Sequence, residues 1–134
     1  MEQQRSGVPS LDAQRELSFE LVHATEAAAL ACAGFLGKGN PDGVSDAAGH
    51  AMRAALEQSG LTATVVLSPR HQAHLPHGLV ITGGGRKVDL GVYPVEGASQ
   101  VARGHINAVS LSPLRSRSSS PVPGLGARST WTIR

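Results

Sequence analysis

The sequence predicts an α+β fold in which two N-terminal helices pack on one face of a small sheet. Two observations indicate this class: apolar residues recur at helical spacing in the first part of the chain, and short β-branched segments follow them. A third observation sets a boundary, because residues 112–134 show neither pattern. We therefore expect a flexible N-terminus at residues 1–10, one domain at residues 11–111 and a disordered Arg/Ser/Pro/Gly tail at residues 112–134.

The first predicted helix begins at the capping residues Ser10–Asp12 and ends before the breaker segment Gly37–Pro41. Acidic residues gather in its early turns, where they complement the helix dipole. Cys32 is the only cysteine of the chain, which excludes an intrachain disulfide. The residues that we expect to be buried on this helix are Leu17, Leu21, Ala24, Ala28, Cys32 and Phe35.

The second predicted helix starts near Asp42 or Ser45 and ends at about Ser59, and its small apolar residues would allow close helix packing. Gly83–Arg86 lacks the Gly-Lys-Ser/Thr ending of a phosphate loop, so we interpret it as a hairpin turn. The remaining predicted elements are strands at Thr62–Leu67, Leu79–Thr82, Lys87–Tyr93 and Ile106–Leu111, with a short helix around Ser99–Arg103.

The composition is that of a soluble globular protein, with 40% hydrophobic and 16% charged residues. No apolar run reaches the ~18 residues of a membrane span, and the N-terminus lacks the apolar core of a signal peptide. These features predict a cytoplasmic protein without a membrane partner. Glu96 is the last acidic residue, and no aromatic residue is interleaved with the tail arginines Arg115 and Arg117, which argues against nucleic acid as a partner.

Lys87–Gly97 reads as a strand that runs into a tight turn. Val88, Leu90 and Val92 alternate with more polar residues, and Pro94, which has no amide hydrogen, should end the strand. Gly97 permits the positive φ that a turn after Glu96 would need. A carboxylate held just past a strand end, among free amides, suits a divalent cation or a phosphate site. A surface turn with a solvated Glu96 is the alternative that spacing alone favours.

The segment Val88–Ala98 resembles the metal-binding turn of the class II fructose-1,6-bisphosphatases, which belong to the lithium-sensitive, metal-dependent sugar and inositol phosphatases. The chain is identified as a member of this family over roughly Leu17 to Leu111, corresponding to the family's N-terminal half. Further blocks that resemble the family, in order and at the right spacing, are Leu17–Ala31, Leu36–Gly39, Ala47–Arg53 and Val101–Ser110.

The resemblance implies a cluster of Mg²⁺ or Mn²⁺ ions held by several carboxylates. At three of the family's metal-acid positions this sequence has Ser45, Pro69 and Tyr93. Glu96 keeps a family acid, and a one-residue shift would let Asp46 replace the acid lost at position 45. One carboxylate cannot hold such a cluster, so we expect that the metals are not bound productively.

The family turn also implies a substrate-binding role for Glu96, Gly97 and Ala98, although Ala98 stands where the family has Thr. The implied reaction is hydrolysis of fructose 1,6-bisphosphate to fructose 6-phosphate in gluconeogenesis. Because the acids are lost and the chain ends at about half of the family's length, we expect a diverged, truncated and catalytically inactive relative. Two alternatives stay open: a weak phosphatase that acts with a full-length relative, and a non-enzymatic binding or regulatory subunit.

Three histidines, His71, His74 and His77, recur every third residue and could hold a transition metal. Pro69 and Pro76 argue against a regular helix there, so a solvated loop is the favoured interpretation.

We expect the chain to associate with itself or with a full-length relative. The predicted helices can cover only one face of the sheet, and the predicted strand Ile106–Leu111 would leave an open edge that offers unpaired amides and carbonyls to another chain.

Overall fold

The computed structural model describes residues 11–105, 108–112 and 114–116. No helix among these residues is long and apolar enough to span a membrane. In chain order the elements are α1 (Leu11–Ala33), α2 (Pro41–Gln58), β1 (Thr62–Leu67), β2 (Val80–Ile81), β3 (Lys87–Gly91), β4 (Tyr93–Glu96), α3 (Ala98–Ala102), β5 (Val109–Leu111) and β6 (Leu114–Ser116). This arrangement confirms the α+β class.

Helix α1 buries the stripe that its periodicity predicts. Leu17, Ala24, Ala28 and Cys32 are buried in the core, and Leu21 and Phe35 pack against it. The helix ends at Ala33, a few residues before Leu36, in a turn in which the amide of Gly37 donates to the carbonyl of Val101 at 2.9 Å. This hydrogen bond ties the end of α1 to α3.

Helix α2 begins where Asn40 caps it, since the side chain of Asn40 accepts a hydrogen bond from the amide of Gly43 at 2.9 Å. Pro41 occupies the first helical turn, where no intrahelical amide bond is lost. The residues of α2 that are buried in the core are Val44, Ala48, Gly49, Met52, Ala55 and Leu56. The small residues on α1 and α2 let the two helices pack closely, as the sequence predicted.

The main sheet has four strands in the order β2-β1-β3-β6. Strands β1 and β3 are parallel, whereas β2 and β6 are antiparallel to their neighbours. Because β1 lies between β2 and β3, the segment Gly83–Arg86 passes the N-terminal end of β1 and does not form the hairpin turn that we predicted. The amide of Gly85 donates to the carbonyl of Gly60 at 3.0 Å, which fixes this crossing against the start of β1.

The predicted strand Lys87–Tyr93 is divided into two strands at Val92. Strand β4 leaves the main sheet and pairs antiparallel with β5 in a second, two-stranded sheet. Pro94 lies inside β4, so the prediction that the strand ends there is wrong. The pairing of β4 with β5 is irregular between Tyr93 and Glu96, and such a bulge tolerates a residue without an amide hydrogen.

The C-terminal region differs from the expected tail at one place. Leu114–Ser116 form β6, which pairs with β3 from Leu90 to Val88. Leu114 packs against the core. A three-residue strand is too short to show a period of two, so no periodic pattern marks it. The rest of the expected tail, residues 117–134, lies outside the described residues, as do residues 106–107 of the predicted last strand.

Candidate functional site

The turn after β4 has the backbone that the sequence predicted, with one correction. Gly97 adopts φ +96° and caps the start of α3, and its carbonyl accepts hydrogen bonds from the amides of Gln100 and Val101 at 3.0 and 3.1 Å. Glu96 is not past the strand end, because it is the last residue of β4 and lies opposite Val109 of β5. Its side chain is exposed. The turn therefore presents the carboxylate of Glu96 to solvent, next to a left-handed backbone conformation at Gly97 that favours glycine.

Ser45 and Asp46 lie in the second turn of α2. The carboxylate of Asp46 is 2.8 Å from Nε2 of His74, and the ring of His74 meets that of His50 edge to face, with the ring centres 5.3 Å apart. Asp46 is thus engaged with a histidine on the connection between β1 and β2. A metal at this position would have to compete with that contact for the carboxylate.

Pro69 is the second residue of the connection from β1 to β2 and is half-buried. This connection is fixed on α2 by two further hydrogen bonds: Nε2 of the buried Gln72 donates to the carbonyl of Ser45 at 3.3 Å, and Nη1 of Arg53 donates to the carbonyl of His74 at 3.1 Å. A side chain at Gly49 would overlap the carboxamide of Gln72, so the absence of a side chain there makes room for this attachment.

Tyr93, which the resemblance places at the third family acid position, opens β4 and pairs with Leu111 of β5. Helix α2 packs against both β4 and α3, so the fold places the elements that carry Ser45, Tyr93 and Glu96 next to one another. Ala98 is the first residue of α3 and is half-buried. The elements that carry these three positions are therefore neighbours, and of the three residues only Glu96 is an acid.

The three histidines of the connection have different environments. His74 contacts Asp46 and His50, whereas His71 and His77 are exposed. Among residues 11–105, 108–112 and 114–116, no group of three or more His, Cys, Asp or Glu residues could hold a metal ion. The donors in this described part of the chain therefore do not fit the cluster of divalent ions that the resemblance implies, because such a cluster needs several convergent carboxylate oxygens.

Sequence reasoning missed the contacts that join the connection to α2. Gln72 carries no motif, and its partner Ser45 is 27 residues away. The spacing of Asp46 and His50, one helical turn apart, was a weak signal that both face the same neighbour. Nothing in the sequence indicated that this neighbour is His74.

An apolar cavity of about 250 Å³ lies between the end of α1 and the second sheet. Cys32, Pro94, Val101 and His105 contribute to its lining. Burial raises the pKa of the Cys32 thiol above its ordinary value, so the thiol is a packing group and not an activated nucleophile.

Comparison with known proteins gives a consistent result. The sequence model of the family described as "Bacterial fructose-1,6-bisphosphatase, glpX-encoded" matches residues 15–119. Similar relatives are fructose-1,6-bisphosphatase 1 class 2 of Escherichia coli strain K12 and the class 2 fructose-1,6-bisphosphatases of Escherichia coli O6:H1 and Shigella flexneri. Each is 36% identical over 102 residues, which cover 73% of this chain but only 30% of the relative. Because the family's model matches well over half of the chain, the chain belongs to the class II, glpX-type fructose-1,6-bisphosphatase family.

Proposed function

We propose that this 134-residue chain is a class II fructose-1,6-bisphosphatase-like protein that does not by itself hydrolyse fructose 1,6-bisphosphate. What supports the proposal is that Ser45, Pro69 and Tyr93 stand at three positions that the resemblance assigns to the family's metal-binding acids. The relatives' names supply the substrate to be tested, fructose 1,6-bisphosphate. A role in gluconeogenesis would require that this chain take part in its hydrolysis.

Metal-dependent hydrolysis of a phosphate ester needs carboxylates that hold divalent ions, which clamp the phosphate and lower the pKa of the attacking water. Serine, proline and tyrosine cannot supply a carboxylate at the lost positions. The turn Ser68–His71 is basic where the family is acidic, so it repels a cation. Mg²⁺ or Mn²⁺ would meet only Glu96 at the family turn, with Asp46 engaged by His74.

The direct test is release of inorganic phosphate from fructose 1,6-bisphosphate with Mg²⁺ or Mn²⁺. We expect no release above a protein-free blank at any concentration of either ion. Release that Glu96→Gln abolishes would contradict the proposal. Glu57→Gln is the matched control, because Glu57 is also exposed but lies at the end of α2 and pairs with Arg53.

A second candidate is a non-catalytic subunit that binds another protein chain. It is favoured by the large apolar side chains that α1 exposes to solvent. The partner would be a second copy of this chain or a full-length relative. In the alternative in which some catalysis remains, this chain would show a weak phosphatase activity only when it is bound to the full-length relative.

Mixing experiments separate these versions. Phosphate release by the full-length class 2 enzyme of Escherichia coli would be measured with and without an excess of this chain. A change in its rate, with co-migration of the two chains, would support the regulatory subunit. An unchanged rate with no complex would exclude the full-length relative as a partner.

A further inference from the structure

Helix α1 has an outer face that the core does not use. Its large apolar side chains are highly exposed: Leu11 by 74%, Phe19 by 73%, Val22 by 41% and Leu30 by 76%. At about 100° per residue, these positions lie on the side of the helix opposite the buried Leu17, Ala24 and Ala28. We define the outer face of α1 as Leu11, Arg15, Phe19, Val22, Glu26 and Leu30.

The outer face has the spacing of a helix-pairing seam. Arg15, Phe19, Val22 and Glu26 follow one another at intervals of four, three and four residues, which is the alternation found along a two-stranded coiled coil. Arg15 and Glu26 are both exposed. The seam therefore consists of two central apolar residues flanked by one positive and one negative charge.

This pattern is complementary to itself when it is reversed. A two-fold axis between residues 20 and 21 places Arg15 of one α1 at the level of Glu26 of an antiparallel copy. The same axis places Phe19 at the level of Val22, and Leu11 at the level of Leu30. A parallel pair in register would instead set Arg15 against Arg15 and Glu26 against Glu26, which is repulsive. The charges therefore select the antiparallel arrangement.

We infer that the outer face of α1 binds a second copy of this chain in an antiparallel, two-fold symmetric pair. Such an interface uses the same patch on both copies, so the dimer contains two Arg15–Glu26 pairs, one on each side of the axis. The apolar residues at the centre supply the affinity, while the charge pairs set register and orientation. The helix is about 35 Å long, which gives an interface of modest size and an association in the micromolar range. The inference does not depend on the loss of hydrolysis.

The test is sedimentation of the 134-residue chain across the micromolar range, with charge reversals on the outer face. We expect a monomer–dimer equilibrium. Arg15→Glu alone or Glu26→Arg alone should weaken it at least tenfold, because either change creates two like-charge pairs per dimer. The double variant, Arg15→Glu with Glu26→Arg, should return the dissociation constant to within about threefold of the original, because the pairs are restored with opposite polarity.

Two further variants keep the result interpretable. Arg70→Glu makes the same charge change in an exposed turn away from α1 and should leave the equilibrium unchanged. Phe19→Ser removes the largest outer side chain and should weaken dimerisation, and at concentrations where the chain is monomeric it should not lower the melting temperature, since Phe19 is exposed in the single chain. A chain that stays monomeric throughout would overturn the inference. So would a dimer insensitive to the single reversals or not restored by the double one, which would indicate another face such as a sheet edge.

Discussion

Two regions of this molecule carry the positions that the resemblance assigns to the family's metal site, and they are held in different ways. In the first, α2 and the connection from β1 to β2 are joined directly by side chains, with His74 on Asp46 at 2.8 Å and Gln72 on the carbonyl of Ser45 at 3.3 Å. In the second, the turn after β4 has Gly97 at φ +96° beside the exposed Glu96. One region is held by contacts between elements, and the other by local backbone conformation.

The difference has a physical explanation in the charges. Carboxylates that cluster without a metal repel one another, so a scaffold that stops binding metal is stabilised when they are replaced. Under the proposed function, Pro69 and the basic residues after it would remove this repulsion in the first region, where hydrogen bonds join the same elements. In the second region Tyr93 would remove it, and Glu96 is exposed to solvent. On that proposal both regions are adaptations of one scaffold to the absence of an ion cluster.

The largest expected effect tests whether the connection is anchored in the core. Leu75 is fully buried there, so Leu75→Ala should lower the free energy of unfolding by about 2–4 kcal/mol through lost burial and a cavity. Val95→Ala, in the half-buried middle of β4, should lower it by only about 1 kcal/mol. Urea unfolding of both variants gives the comparison. Equal losses would mean that the two regions do not differ in how they are anchored.

The next effect concerns β3, the strand that leads into the turn. Deleting residues 112–134 removes β6 and the packing of Leu114, and it exposes the edge of β3. We expect a melting temperature at least about 5 °C below that of a chain ending at Ser116, which keeps β6. Equal melting temperatures would show that β6 adds nothing to the fold, in agreement with a tail that begins at Ser112.

A smaller effect should follow from the backbone of the turn. Gly97→Ala forces a side chain into the left-handed region and should lower the free energy of unfolding by about 1–2 kcal/mol. Ser99→Ala, at an exposed position of α3, is the control and should change it by less than about 0.5 kcal/mol. If Gly97→Ala is neutral, the turn is not held by its backbone conformation and the contrast between the regions fails.

The smallest effect is expected at the contact between Asp46 and His74. Asp46 is exposed, so solvent screens the pair, and a double-mutant cycle with Asp46→Asn and His74→Gln should give a coupling of about 0.5 kcal/mol or less. The cycle is measured by chemical unfolding at neutral pH. A coupling above about 2 kcal/mol would mean that this contact, and not the burial of Leu75, holds the connection on α2.

Local patterns made much of the fold predictable. The helical period indicated α1 and α2, and the β-branched run Thr62–Leu67 is β1 with the predicted bounds. The positive φ at Gly97 followed from its place after a strand. In each case the signal lies within a few neighbouring residues, where steric preference and amphipathic spacing act.

The failures share a different cause, because they depend on which distant segments meet. Gly83–Arg86 looks like a hairpin turn until β1 is found between β2 and β3. The division of the strand at Val92 depends on pairing with β5 and on the bulge that accepts Pro94. The contacts of Gln72 and His74 join residues 27 and 28 positions apart, which no local pattern records. The resemblance predicted the turn but not what replaces the missing acids.

The central claim, that this scaffold no longer assembles a metal cluster, is tested most directly by calorimetric titration of the purified chain with Mn²⁺. We predict no saturable binding at micromolar concentrations of the ion, and no difference between the original chain and Glu96→Gln. Saturable micromolar binding that Glu96→Gln abolishes and Glu57→Gln preserves would contradict the claim, because it would require further ligands to converge on Glu96.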